Sequence, residues 1–384
     1  MTTIYLVRHA ESEGNLYRRV HSWYDSLITD NGYRQIQALA RRFEDIPIDA
    51  VWSSDMFRTK ATARSVYLPK GLPLQLDPQL REMHMGEWED LSWGEAYRLD
   101  PDGLKRFLHS DPTWHAPNAE TFGQTGDRAY AALQRIAQAH AGQTVAVFCH
   151  GTTIRQVLAK IRGIAPEDWH TLTHSDNTAV NLLTYDNGQF EIVFDSDISH
   201  LDESMPTMGR LAKQRKPMLT PEQFNLWFRP LDWESESHLY LQARQEAWTN
   251  THPGGPAFQA EDFLPGAQAN LSASPWGITV AMAGEHVAGL LELDARHDKA
   301  HNAGYIPFFY VIPDRRRQGL GVQLIGKAVS FFRPLGCTAI RLHCAPDSDG
   351  VQQFYQKYGF QSIGREQMGR VVLDSMEKHI GYER

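Results

Sequence analysis

Through the first half of the chain, short apolar runs alternate with stretches whose apolar residues recur at helical spacing. This alternation restricts the fold more than any other feature of the sequence. Residues 3–7, Ala50–Ser53 and Thr144–Cys149 are short, apolar and β-branched enough to read as buried strands. Residues 31–43 read as a helix that Thr29 and Asp30 can cap, with Ile36, Leu39, Ala40 and Phe43 on one face. Further helices are predicted at about 56–67, 121–141 and 152–161. Strands alternating with helices imply an α/β layer fold with a largely parallel sheet.

The pattern stops at residues 202–222, which hold few bulky apolar residues, three prolines and the basic run 210–216. Such a segment reads as a solvated linker. It divides the 384 residues into 1–200, a linker at 201–222, and 223–384. Beyond it, strands are predicted at 285–294, 304–312, 339–344 and 370–373, with helices at 320–332 and 351–358. This is a second α/β or α+β unit.

Charge narrows the partners. Net charge is −8, and the first 200 residues carry 19 basic and 26 acidic side chains against 19 and 20 in the rest. Neither half has the basic surface of a nucleic-acid binder. An anionic substrate must therefore be drawn by a local cluster of Arg and His. The longest uncharged stretch, 263–284, is broken by prolines and glycines, so no membrane span is expected. Arg8 and His9 occupy the place of a signal peptide's apolar centre. Three cysteines without zinc-type spacing suit a reducing cytoplasm.

In open α/β sheets, ligands bind beyond the carboxyl ends of strands. His9 and His150 each follow a predicted strand and precede small residues and a helix, and Arg8 adjoins one of them. The runs Leu6-Val7-Arg8-His9-Ala10-Glu11-Ser12-Glu13-Gly14-Asn15, Ser53-Ser54-Asp55-Met56-Phe57-Arg58-Thr59, Leu80-Arg81-Glu82-Met83-His84-Met85-Gly86-Glu87-Trp88 and Phe148-Cys149-His150-Gly151 carry a resemblance. Over about residues 1–195 the chain resembles the histidine phosphatase, or phosphoglycerate-mutase-like, superfamily. The resemblance implies a three-layer α/β/α fold and a metal-independent reaction on a small phosphorylated metabolite. It implies His9 as nucleophile, with Arg8, Asn15, Arg58 and His150 around the phosphate and Glu82 as proton donor. A neutral imidazole can take the phosphoryl group, and fixed cations stabilise the charge on its oxygens. Glu87 is a rival to Glu82, and His21 and His84 could line the pocket. Aromatic residues between Trp88 and Trp114 read as packing rather than a lid. Hydrolysis is expected, with a phosphoglycerate-type mutase as the alternative.

A competing motif lies in the same segment. Cys149 to Arg155 matches C-x5-R, the loop of thiolate phosphatases. That reading leaves Arg8, His9 and Arg58 unused, so Cys149 is expected to play no part.

In the second half, Val311-Ile312-Pro313-Asp314-Arg315-Arg316-Arg317-Gln318-Gly319-Leu320-Gly321 joins a strand to a helix. Glycines there let backbone N–H groups approach a phosphate. The dinucleotide fingerprint fails at Leu324, and the P-loop reading fails at Ala328. Together with Gln353-Phe354-Tyr355-Gln356-Lys357-Tyr358-Gly359-Phe360, the segment resembles the GNAT N-acetyltransferase superfamily over about residues 228–373. The resemblance implies an α/β (α+β) acyltransferase fold, acetyl-CoA as cofactor and a small-molecule acetyl acceptor. Val311, Arg316, Arg317, Gln318, Gly319 and Gly321 would hold the cofactor, and Tyr355 would protonate the departing thiolate. The family's usual Asn is Ser348 here. The proton acceptor is left among His343, Tyr305 and a water relay. A half that binds CoA without turnover, as a sensor, is the alternative.

Overall fold

The computed structural model describes residues 1–209, 224–346 and 348–382. The chain divides into two compact units, Met1–Leu91 with Ala96–Gln214 and Ser92–Glu95 with Arg215–Arg384. The basic run at 210–216 and the rest of the expected linker to residue 222 lie outside the described residues.

The first unit contains strands β1 (Thr2–Arg8), β2 (Ala50–Ser53), β3 (Leu74–Leu76), β4 (Thr144–Cys149), β5 (Val180–Asp186) and β6 (Gln189–Asp197). Its helices are α1 (Glu13–Tyr17), α2 (Asp30–Arg42), α3 (Phe57–Tyr67), α4 (Trp93–Leu99, in this unit from Ala96 onward), α5 (Pro101–Leu108), α6 (Phe122–Ala139) and α7 (Gly151–Arg162). The sheet order is β3-β2-β4-β1-β5-β6. The first four strands are parallel, as the alternation predicts, while β5 and β6 form an antiparallel edge hairpin. Side chains alternate across the sheet, and each face is apolar. Ile4, Leu6, Val145 and Val147 pack with α6 and α7 residues such as Leu133 and Val157. Val7, Ala146 and Phe148 pack on the other side with Leu39 of α2 and Val66 of α3. Helices therefore cover both faces of one sheet, giving three layers.

Register places the site. Arg8 on β1 lies opposite Cys149 on β4, and the His9 N–H donates to the Cys149 carbonyl at 3.0 Å. The chain thus leaves both strands at the same sheet edge, with His9 and His150 as the next residues.

The first part of the expected linker is exposed for most of its length but anchored at two residues. Met205 and Thr207 are buried in the first unit. The Met205 carbonyl accepts from the Asn31 and Gln35 amides at 3.0 and 2.9 Å, and the Thr207 hydroxyl donates to Glu11 at 2.9 Å. These polar anchors outweigh the low hydropathy that marked the segment.

The second unit holds β7 (Trp227–Pro230), α8 (Trp233–Thr251), α9 (Leu264–Ala273), β8 (Ile278–Ala283), β9 (His286–Asp294), β10 (Ala303–Val311), α10 (Gly321–Phe332), β11 (Ala339–Cys344), α11 (Asp349–Lys357), β12 (Gln361–Met368) and β13 (Val371–His379). The sheet order is β12-β13-β11-β10-β9-β8-β7. Among the described strands of this second sheet only β10 and β11 are parallel, and they pair only from Ala303↔Ala339 to Ile306↔Leu342. A register shift against β9 falls between Tyr305 and Phe308. Past that point β10 and β11 part, and the sheet carries a wedge. Phe308 and Tyr310 face the α8–α9 core, while Phe309 and Val311 pack with Leu320 and Leu324 of the α10 segment.

Among the described residues no helix is long and apolar enough to cross a membrane, and none forms a cluster of His, Cys, Asp or Glu suited to a metal ion.

Candidate active sites

His9 and His150 meet at the sheet edge with ring centroids 5.3 Å apart, and both are essentially buried. The His9 Nδ1 lies 2.8 Å from the Ala10 carbonyl. A carbonyl only accepts, so Nδ1 carries the proton and Nε2 keeps its lone pair. Burial, then the Arg58 and Arg8 guanidiniums, hold the His9 pKa well below its ordinary value. A neutral, correctly tautomerised imidazole is what nucleophilic attack on phosphorus requires.

Donors surround it. Arg8 donates through Nη1 to the Ser175 carbonyl, and its buried Nε has no hydrogen-bond partner among the described residues. Arg58 is fully buried, donating through Nη2 to the Ser22 carbonyl at 2.6 Å and facing Asp25 at 3.4 Å. His150 Nε2 lies 2.9 Å from the Ser54 hydroxyl, and its buried Nδ1 has no partner among the described residues. Burial, then Arg58 and His9, push the His150 pKa well down. Asn15 uses its Oδ1 to accept from the Ser12 N–H at 3.1 Å, closing the cap of α1 beside the site. His21 packs on Gly14, where any side chain would collide with its ring, and lies 5.7 Å from His9 between centroids. It is a wall of this pocket. His84 is turned away, bonded to the Asn118 carbonyl and stacked edge-on to Trp23.

Glu82 and Glu87 separate cleanly. Glu87 is exposed. The Glu82 carboxylate accepts from the backbone N–H groups of Thr152 and Thr153, both at 3.0 Å, at the start of α7 just after His150. The Glu82 carbonyl is braced by Arg128 and by the Trp23 indole, each at 2.8 Å, and Arg128 is itself paired with Glu120. Arg128 and Glu120 thus position Glu82, a role that no sequence pattern indicated.

Cys149 points into the apolar core with Ile4, Leu6 and Ile154. Burial pushes its thiol pKa up, the opposite of what a thiolate nucleophile needs. Cys149→Ser is therefore expected to leave phosphomonoester hydrolysis within about threefold of wild type, because a buried thiol acts as a small apolar group. Steady-state kinetics of the variant checks this. Trp88, Phe107, Trp114 and Phe122 interlock at centroid distances of 4.9–6.3 Å, as packing.

The second site lies at the wedge. Tyr355 is buried against Phe309 of β10, with centroids 5.8 Å apart. Burial raises its phenol pKa. In the preceding loop, Arg317 and Gly319 have φ of 58° and 75°, a left-handed geometry that turns successive backbone N–H groups outward. Leu320 gives no side-chain cap to α10; the Gln323 N–H donates to the Leu320 carbonyl at 3.0 Å, which leaves the N–H groups of Gly321 and Val322 for a ligand. Arg316 holds the loop to the Val311 carbonyl at 2.9 Å and to Glu246 at 3.0 Å, and Gln318 donates to the Asp314 carbonyl at 2.7 Å. An open wedge flanked by an uncapped helix start fits a pantetheine arm and a pyrophosphate, so the residues present fit coenzyme A. Tyr305 and His343, two of the candidate proton acceptors, are joined. The Tyr305 hydroxyl lies 2.8 Å from His343 Nδ1, and His343 Nε2 is 3.4 Å from Glu366.

A sequence profile of the histidine phosphatase superfamily (branch 1) matches residues 4–197. The chain belongs to the histidine phosphatase superfamily. A profile of the acetyltransferase (GNAT) family matches residues 232–360, so a GNAT domain is fused to the phosphatase-family domain. Phosphoglycerate mutase-like protein 4 of Arabidopsis thaliana is 32% identical over 205 residues, covering 52% of this chain and 87% of that protein. A metal-independent phosphoserine phosphatase, also of Arabidopsis thaliana, is 31% identical over 208 residues, covering 52% and 84%. The solved structure of Bacillus stearothermophilus YhfR superposes with a TM-score of 0.51 at 29% identity, covering 53% of this chain and all of that one. In the phosphatase-family domain the pocket brings together Arg8, His9, Arg58 and His150, with Asn15 and Glu82 on elements that adjoin it. Ser54, Arg128 and Arg155 were not singled out as site residues. Ser54 stood inside a matched motif, and its hydroxyl one residue past β2 was the available signal.

Proposed function

We propose that the chain is a bifunctional enzyme. The first domain, residues 1–200, hydrolyses a small phosphomonoester through a phosphohistidine at His9. The second, residues 223–384, transfers an acetyl group to a small-molecule amine. The observation that carries the first half is the His9 tautomer, with Nδ1 spent on Ala10 and Nε2 left among Arg8, Arg58 and His150. In the first step Nε2 attacks phosphorus, the P–O bond breaks and Glu82 gives its proton to the leaving oxygen. In the second, Glu82 takes a proton from water, the water oxygen attacks phosphorus and inorganic phosphate leaves. The guanidiniums and the His150 Nδ1 bind the equatorial oxygens. The phosphoserine phosphatase and the mutase-like relative support a small ester. Release of phosphate from 3-phosphoglycerate faster than its isomerisation marks a phosphatase, and the reverse marks a mutase.

In the second domain Val311, Arg316, Arg317, Gln318, Gly319 and Gly321 would hold acetyl-CoA, which supplies the activated acetyl group when bound. Tyr355 donates a proton from one face of the wedge. On the other side, the Tyr305–His343–Glu366 chain takes the proton of the acceptor amine. Calorimetry of the full chain with acetyl-CoA tests the site, and absence of binding removes this reading. Tyr355→Phe is expected to lower kcat for acetyl transfer by about 100-fold while leaving acetyl-CoA affinity within about threefold. Three free thiols suit a reducing cytoplasm.

A further inference from the structure

We infer that Arg155 forms a second anion subsite beside the phosphate position, so that the phosphatase domain selects small phosphomonoesters that also carry a carboxylate. This rests on the phosphatase reading above and specifies its substrate class.

Arg155 is 5% exposed, yet it pairs with no carboxylate among the described residues, and its Nε has no hydrogen-bond partner there. Its side-chain hydrogen-bond partner is the His174 imidazole, at 2.6 Å from Nη1. A buried guanidinium without an anion is costly, and an aliphatic side chain of similar length would be cheaper in a purely structural role. Its guanidinium carbon lies 5.9 Å from the Phe122 ring centroid, a weak cation–π contact that does not replace a paired anion.

Its place says where that anion sits. Arg155 follows Gly151 by four residues on α7, so both lie on one helical face. A Cβ at Gly151 would stand 3.2 Å from the Arg8 guanidinium carbon. Arg8 donates to the Ser175 carbonyl, and Arg155 donates to His174, so the two guanidiniums grip consecutive residues of one segment. His174 itself is exposed. It covers Arg155 with an uncharged acceptor that a carboxylate can displace, exchanging one hydrogen bond to a neutral imidazole for a bidentate pair with an anion. Glu82 lies within electrostatic reach of Arg155. A lone guanidinium already sharing the field of one carboxylate suits a monoanion better than a second phosphate.

The test compares esters that differ only in the carboxylate: O-phosphoserine against O-phosphoethanolamine, and 3-phosphoglycerate against glycerol 3-phosphate. For wild type, kcat/KM is expected to favour the carboxylated member of each pair by about 10- to 100-fold, as one charge-assisted pair implies. In Arg155→Gln that ratio falls to about one to three, whatever the absolute rate, and Arg155→Lys keeps part of it. Equal ratios in wild type, or an unchanged ratio in Arg155→Gln, overturn the subsite. An equal loss on all four esters also overturns it, since that places Arg155 on the phosphate or in the fold. A binding measurement on wild type needs neither turnover nor a variant. Phosphoglycolate is expected to bind at least tenfold tighter than methyl phosphate, and equal affinities overturn the subsite. If no ester is hydrolysed but phosphoglycolate is preferred, the subsite stands and the hydrolysis reading falls.

Discussion

His9→Ala is expected to lower kcat/KM for phosphomonoester hydrolysis by at least about a thousandfold and to leave acetyl-CoA binding by the same protein unchanged. The magnitude follows from losing the covalent route altogether, since no other nucleophile reaches the phosphate. Cys149 is turned into the core, and His150 is held at Nε2 by Ser54. The pH dependence has a definite sign. Protonating Nε2 removes the lone pair, so hydrolysis fails on this account only as pH falls through the folded pKa of His9. Burial and the two guanidiniums place that pKa well below its ordinary value. After correction for the substrate's own ionisation near 6, kcat/KM is expected to show no loss through His9 protonation as pH falls from 7 to well below 6.5. An acid limb centred near 6.5 would contradict the electrostatic account. Stability moves the same way. His9, His21 and His150 are all held neutral in the folded site and all titrate near 6.5 when unfolded. Their contribution is present above that pH and is lost below it, by up to about 1.4 kcal/mol per pH unit for each imidazole.

Glu292→Ala is expected to destabilise the second unit by about 3–5 kcal/mol. Glu292 is 1% exposed and sits on β9 in the middle of the sheet. Its Oε2 accepts from the Tyr240 hydroxyl at 2.8 Å and from Arg244, and its Oε1 accepts from the Asn270 amide at 2.9 Å. Arg244 lies over Phe308, 4.2 Å from the ring centroid, and over Phe263 at 4.7 Å. Removing the carboxylate leaves that guanidinium buried against apolar rings with no counter-charge. Urea unfolding followed by hydrogen exchange at β8–β10 measures the loss. The paired change Glu292→Leu with Arg244→Met is expected to recover most of it, because the cost lies in the unpaired charge. A loss under about 1 kcal/mol in Glu292→Ala would show that water replaces the carboxylate. An acid inside an apolar strand pattern gives no sign that three donors from two other elements, Tyr240 and Arg244 of α8 and Asn270 of α9, converge on it.

Elements whose apolar residues keep a regular period were legible, as were site residues that stand next to a strand end. The strand at 3–7 and the helix at 31–43 were read to within two residues because burial on defined faces forces their pattern. The edge strand β6 has exposed residues alternating with half-buried ones, and β12 is exposed along nearly its whole length, so neither carries a strong apolar signal. The β5–β6 hairpin did have one cue, the Asn187-Gly188 turn, whose φ values of 48° and 85° suit a two-residue hairpin loop. Helix α8 mixes aromatic and charged residues without a clear apolar stripe, because Arg244 and Glu246 turn inward toward buried partners. In the site, Glu82 could not be told from Glu87 until the start of α7 supplied its donors. Arg155 was visible only as the end of a cysteine-phosphatase pattern, and its unpaired burial is a property of the fold.

The central claim is a phosphoryl group on His9, and trapping that species tests it most directly. Wild type mixed with a radiolabelled phosphomonoester and quenched in base within milliseconds is expected to carry a label that base preserves and acid releases. Peptide mass spectrometry should place it on the segment containing His9, and it should persist in Cys149→Ser and vanish in His9→Ala. A label that survives in His9→Ala, or that maps to Cys149, would contradict the account.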